Sequence, residues 1–208
     1  MGEVMQVRAR WTVGVGFGLV AALALTGCEV RHRTSAPPPS VAGGAPAPVD
    51  DDAQLAWAAD EPWFVVVRKS CRTLDVYRHG VRIESFPAVF GLGGAGKKLY
   101  EGDLRTPTGL YMIVDSRPHP RWDRFLLLDY PNLQDLHQYW LAMEADRIPR
   151  RGDGYAGVGG AVGIHGTDRP EANRRGEDWT FGCISLSNHD IEELADMVPV
   201  GTLVLIEE

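Results

Sequence analysis

Cysteine is scarce in this chain. Its 208 residues hold 3 cysteines, at positions 28, 71 and 183. That excludes a small fold stapled by several disulfides, and a zinc module built on closely spaced cysteine pairs. Cations are in deficit, with 21 Lys+Arg against 28 Asp+Glu and a net charge of −7. With no basic stripe and no RNA-binding motif, no nucleic-acid partner is expected. Internal repeats are absent, which excludes solenoid and propeller architectures. No apolar run reaches the roughly 20 residues of a membrane-spanning helix. The glycine-rich loop "GLGGAGKKLYEGDLRTPTG" at 91–109 lacks the Gly-Lys-Ser/Thr ending of a phosphate cradle, and no helical pattern follows it. It reads as a long hairpin connection ending in a turn at Thr106 and Pro107.

What is present begins at the amino terminus. Arg8 and Arg10 precede the uncharged "WTVGVGFGLVAALAL" at 11–25, and "LTGC" ends at Cys28. A basic start, a short apolar run and small residues describe a secretory signal. "LTGC" resembles a bacterial lipobox, which implies cleavage before Cys28 and a lipid on its thiol. Glu29, rather than Asp, follows the cysteine, which points to the outer membrane rather than the inner, on the periplasmic side. Residues 1–27 are thus read as a lipoprotein signal. Residues 28–60, rich in Pro, Ala, Gly and Ser, are read as a lipidated cysteine and a tether, too poor in apolar residues to offset their ordering entropy.

Residues 61–208 suffice for one core. "WFVVVRK" at 63–69 predicts a strand, and "TLDVYRHGVRIESFPAVFG" at 73–91 a hairpin turning at "RHG". Further strands are expected at 110–114, 124–130, 161–166, 181–186 and 201–208. Leu136, Tyr139, Trp140 and Met143 lie at helical spacing within 135–146, as core or groove wall. A second helix is expected over 187–198, capped by Ser187 or Asn188, with Ile191, Leu194, Ala195 and Val198 as its buried stripe. About eight strands and two helices without strand–helix alternation predict a mainly β fold, sandwich or barrel-like.

Two strand ends carry reactive side chains, His165 and Cys183. Cys183 could be half of a disulfide with Cys71, a buried thiol, a metal ligand with His189, or a nucleophile. A thiol of ordinary pKa near 8.5 is mostly protonated at neutral pH and needs a base or cation to become nucleophilic. His165 could equally be an ordinary core histidine. Arg121, Trp122, Asp123, Trp140, Asp178 and Trp179 are candidate groove, surface or core residues.

"IHGT" at 164–167 and "TFGCISLSN" at 180–188 together resemble the L,D-transpeptidase (YkuD-type) family. Its signature is a His-Gly strand end, then Ser/Thr-x-Gly-Cys, with Asn five residues on. "GDLRTPTG" at 102–109 and "KSCRTLDVYRHG" at 69–80 resemble further family segments. The resemblance implies the matching β-rich fold and a cell-wall acyl transferase. Cys183 would attack the carbonyl of the third residue of a peptidoglycan stem peptide. His165 would act as base and then acid, oriented by a backbone carbonyl at Gly166 or Thr167. N–H groups near Gly182 and Cys183 would hold the oxyanion. Thr180, Gly182 and Asn188 complete the signature, Asn188 either at the substrate or only as a helix cap. An amine acceptor would take the acyl group, with an outer-membrane lipoprotein as donor or acceptor; no metal or organic cofactor is implied.

Two positions depart from the family pattern. Phe181 stands where many members have His, and Ser185 where many have Arg. "DWTFGCISLSN" resembles more closely the subgroup that includes the hydrolase detaching the outer-membrane (Braun) lipoprotein from peptidoglycan. That leaves three readings: transfer to an amine, hydrolysis, or peptidoglycan binding without catalysis.

Overall fold

The computed structural model describes residue 58 and residues 60–208. The expected signal, the lipidated Cys28 and nearly all of the tether lie outside the described residues. The first strands follow the sequence closely. β1 (Phe64–Arg68), β2 (Thr73–Arg78) and β3 (Val81–Pro87) form an antiparallel meander. The β2–β3 turn is made by His79 and Gly80, with φ of 48° and 73°. Two consecutive left-handed residues twist the turn to match its strands, so a glycine here is favoured.

β4 (Gly109–His119) runs well past the expected 110–114. Its polar continuation, Asp115 to His119, hid the strand from a hydrophobicity pattern. It pairs with β5 (Asp123–Leu128) in that half and with the last strand in its first half. β6 (Arg150–Arg151) and β7 (Gly154–Tyr155) make a separate small hairpin. β8 (Gly163–His165) and β9 (Ile184–Ser185) are shorter than expected, and β10 (Leu203–Glu207) closes the chain. The main sheet has eight strands in the order β3-β2-β1-β10-β4-β5-β8-β9. Only β1–β10 and β8–β9 are parallel.

The two edges meet. Beyond β3, Val89 bridges Ser185 with reciprocal hydrogen bonds of 3.0 and 2.9 Å. Gly91 bridges Thr180. The sheet therefore curls until one edge joins the other, which covers backbone groups an open edge would expose. This closure brings the loop after β3 against the segment preceding Cys183.

Three helices accompany the sheet among the described residues: α1 (Leu133–Glu144), α2 (Pro170–Arg175) and α3 (Asn188–Met197). α3 is capped by Ser187, whose Oγ accepts from Asp190 N, so Asn188 is the first helical residue and not the cap. Ile191, Leu194 and Val198 are buried and Ala195 half-buried, as the stripe predicts. They join Val65, Leu74, Phe86, Tyr111, Leu126, Ile164 and Ile184 in the main core, on the concave side of the sheet. α1 departs from expectation. Ala142 is its buried apolar residue, Tyr139 and Met143 pack beside it, and Leu136 and Trp140 face solvent. α2 was not expected; Pro170 at its start and left-handed Gly176 at its end are the punctuation that marks it.

Candidate active site

The β8–β9 junction sets the geometry. Ile164 lies opposite Ile184, and His165 opposite Ser185. One step back along both chains sets Cys183 opposite Gly163, whose N–H dipole favours the thiolate. Side chains two residues apart share a face, so His165 and Cys183 emerge from neighbouring strands on the same face. They are not hydrogen-bonded to each other; Cys183 Sγ lies 3.8 Å from the Ala161 carbonyl. Cys183 is a free thiol, so the bridge to Cys71 weighed from the sequence does not form.

His165 is buried. Its Nδ1 lies 2.6 Å from the Gly166 carbonyl oxygen. A carbonyl only accepts, so Nδ1 carries the proton and Nε2 keeps the lone pair. Aromatic rings fix the imidazole plane. Trp122 stacks on it at 4.3 Å, Phe125 lies nearly parallel at 5.9 Å, and Trp179 meets it edge-on at 5.7 Å. His119, at the end of the unexpectedly long β4, stacks on the far side of Trp122 at 4.5 Å. Arg121 is exposed and pairs with Asp168 at 2.6 Å. Asp178 pairs with Arg72 at 2.5 Å and accepts from Phe90 N, and so is structural.

Burial sets the charge state. It pushes the His165 imidazole down to about 4, with His119 and Arg121 adding to the fall while the Gly166 carbonyl and Asp168 oppose it. Burial also pushes the Cys183 thiol up, although the Gly163 N–H and the Lys98 ammonium pull the other way. At neutral pH the resting pair is a thiol beside a neutral imidazole, not a thiolate–imidazolium pair.

The turn before Cys183 is tightly held. Thr180 Oγ1 donates to the Cys183 carbonyl at 2.7 Å and accepts from Gly182 N at 3.2 Å. The Gly182 N–H is therefore engaged, whereas no hydrogen bond takes up the Cys183 N–H among the described residues. This narrows the expected oxyanion donors to Cys183. Gly182 has φ of 133°, and a Cβ there would lie 2.8 Å from the Arg105 carbonyl oxygen. Only glycine fits the turn. Asn188 Oδ1 accepts from Thr167 N at 2.5 Å, tying the loop after His165 to α3.

One charged group was missed by the sequence reading. Lys98 is buried in the 91–109 loop, with its Nζ 2.7 Å from Asp103 Oδ1 and 3.1 Å from the Tyr100 carbonyl oxygen. The same Nζ is 3.8 Å from where a Cβ on Gly182 would stand. Burial alone would raise the Asp103 carboxyl, but Lys98 and the N–H groups of Leu99 and Arg105 outweigh it and hold it below the ordinary range. Lys98 and Asp103 stand five residues apart in a loop whose glycines draw the eye, and nothing local shows that both are buried. Of the two departures, Ser185 is fully buried and Phe181 is 77% exposed beside the cysteine turn.

His189, Asp190 and Glu193 on α3 bring their ligand atoms within 4.8 Å of one another. Cys183 does not belong to this cluster, so the zinc reading that joined it to His189 gains no ligand set.

A family model described as the L,D-transpeptidase catalytic domain matches residues 61–206. A Bacillus licheniformis protein that carries the L,D-transpeptidase name YkuD is 28% identical over 145 residues, covering 70% of this chain and 66% of that protein. YafK of Escherichia coli, which carries the same enzyme name, is 26% identical over 149 residues and is matched over 49% of its length. The chain thus spans less than two thirds of these relatives. Among solved structures, the helical cell shape determining protein Pgp2 of Campylobacter jejuni superposes with a TM-score of 0.50 at 25% identity, over 70% of this chain and 47% of that one.

Proposed function

Because the chain belongs to the L,D-transpeptidase catalytic domain family, we propose that it is a cysteine acyltransferase acting on peptidoglycan stem peptides. The observation that carries this reading is the shared sheet face. A free Cys183 thiol stands one strand from a buried His165 whose Nδ1 is spent on Gly166, leaving Nε2 as the base.

The chemistry follows from the neutral resting pair. Substrate entry brings the carbonyl of the third stem residue to Cys183. As sulfur attacks, His165 Nε2 takes the thiol proton, and the imidazolium is held through its Nδ1–H on the Gly166 carbonyl. The Cys183 N–H receives the developing oxyanion, and the nearby Lys98 ammonium favours negative charge there. The imidazolium then gives its proton to the departing amine, leaving a thioester on Cys183. An amine acceptor, such as a second stem peptide or an outer-membrane lipoprotein, takes the acyl group, with His165 again as base. The buried Ser185 provides no cation where many members carry Arg, so water as acceptor is the competing outcome. Lipidation of Cys28 would place the enzyme on the periplasmic face of the outer membrane.

The test is mass spectrometry of the purified protein incubated with tetrapeptide muropeptides and with lipoprotein-linked muropeptides. A covalent acyl adduct on the wild type, absent from Cys183→Ala, is expected. Crosslinked dimers support transfer. Released tripeptide without dimers overturns transfer in favour of hydrolysis. An adduct that persists on Cys183→Ala, or none on the wild type, sinks the nucleophile.

A further inference from the structure

Ser185 and α2 have no role in the chemistry above, yet both connect to the base. Four polar groups form a line that is buried at Trp179, Ser185 and Gly166 and half-buried at Asn173. Trp179 Nε1 donates to Asn173 Oδ1 at 2.9 Å. Asn173 Nδ2 donates to Ser185 Oγ at 3.2 Å and to the Ser185 carbonyl at 3.2 Å. Ser185 Oγ donates to the Gly166 carbonyl at 3.1 Å. That oxygen is the one that accepts from His165 Nδ1.

The polarity of this line is fixed from one end. An indole N–H can only donate, so the Asn173 amide must turn its oxygen to Trp179 and its nitrogen to Ser185. With Nδ2 donating into Ser185 Oγ, the hydroxyl proton is left for a carbonyl, and Gly166 at 3.1 Å is better placed than Leu186 at 3.5 Å. Ser185 is fully buried and Trp179 nearly so. A buried polar group left unpaired costs about 1–3 kcal/mol, which holds the Ser185 hydroxyl and the Trp179 N–H to their partners across the half-buried Asn173. An arginine at 185 would abolish the line, which gives the departure from the family pattern a physical content.

Resting on the reading of His165 as the base for Cys183, we infer that Asn173 and Ser185 are positioning residues that aim the Gly166 carbonyl at His165 Nδ1 and share that carbonyl between two donors. The shared oxygen has two consequences. Its direction is fixed, so the imidazole keeps the tautomer with Nε2 free. Its acceptor strength toward Nδ1–H is reduced by the competing hydroxyl, so the imidazole is a weaker base than an unshared carbonyl would make it. The other charged or titratable groups around the imidazole are His119 at the end of β4, Arg121 in the β4–β5 turn, Asp168 after β8 and Cys183 beside β9.

Asn173→Asp keeps the shape and reverses the polarity, but its new negative charge by itself favours the imidazolium, so its shift counts only together with that of the uncharged Ser185→Ala. A carboxylate still accepts from Trp179, but draws the Ser185 hydroxyl away from Gly166. Ser185→Ala removes the second donor outright. The readouts are NMR titration of the His165 imidazole in the full chain, thermal melting, and kcat and KM on tetrapeptide muropeptides. For folded Asn173→Asp we expect the His165 titration point to rise by about one pH unit, kcat to fall about tenfold, and KM to hold. Ser185→Ala should shift the titration in the same direction and also lower kcat; it carries the test if Asn173→Asp does not fold. Folded variants that retain the wild-type titration point and kcat overturn the inference. A wild type that forms no acyl adduct overturns instead the reading of Cys183, while the NMR shift still decides the polar line.

Discussion

Replacing Trp122 by alanine should release the His165 imidazole from its low titration point. The imidazole is held at about 4, against an ordinary 6.5, and burial is the largest cause. At 1.36 kcal/mol per pH unit that gap corresponds to about 3 kcal/mol against the charged ring. The indole at 4.3 Å covers one of its faces. Admitting water to that face should return about half of the lost hydration and place the titration between about 5 and 6. NMR of the imidazole from pH 3.5 to 8 reads this directly, and the acid limb of kcat/KM should follow it upward. At pH 5 the wild-type imidazole stays mostly neutral, whereas that of the variant is half or more protonated and turnover should be slower. Stability carries the same sign. The folded titration point is depressed, so the unfolded chain binds the extra proton between 6.5 and 4. The wild type should therefore lose up to about 3 kcal/mol as pH falls through that window, and Trp122→Ala should lose less. A His165 that still titrates near 4 in the variant would refute burial by Trp122 as the cause.

Two further perturbations test the turn around Cys183. Gly182→Ala should lower kcat at least a hundredfold and cost about 1–3 kcal/mol of stability, read by adduct formation and thermal melting. The cause is a positive φ and a Cβ forced to 2.8 Å from the Arg105 carbonyl. Lys98→Met should destabilise by about 3–5 kcal/mol, because it strands the buried Asp103 carboxylate. Adding Asp103→Leu should restore much of that stability but not the acylation rate, since the cation beside the thiol stays missing; recovery of both would make Lys98 purely structural.

The sequence was most legible where one face of an element is buried. β1, the β2–β3 hairpin, α3 and β10 follow from strand alternation, a two-residue turn and a helical stripe, because each signal is local. β4 extends beyond its apolar half because pairing with β5, not burial, holds residues 115–119. The expected groove or core helix at 135–146 forms, but it turns Leu136 and Trp140 outward, since the period of an apolar stripe does not say which neighbour will cover it. The site divides in the same way. His165, Gly166, Thr180, Gly182, Cys183 and Asn188 were visible as spaced letters. Trp122 was visible only as one candidate groove, surface or core residue among several, while Lys98 comes from a distant loop and Asn173 from a short helix between His165 and Cys183 that no pattern announced.

By itself the sequence determined the residue types that the proposed acyl transfer needs, the glycine that the cysteine turn demands and the β-rich class. Chemistry and backbone conformation are properties of single residues and short spacings. Only the tertiary structure decided that the sheet closes on itself, which bridges Val89 to Ser185 and Gly91 to Thr180. Only it decided that Cys183 and His165 rest as a neutral pair, because burial by Trp122, Phe125 and the surrounding strands is a sum over distant neighbours. Ser185, which in the sequence was an unexplained replacement of arginine, takes its meaning from the same closure: it is buried between Asn173 and the carbonyl that holds the His165 imidazole.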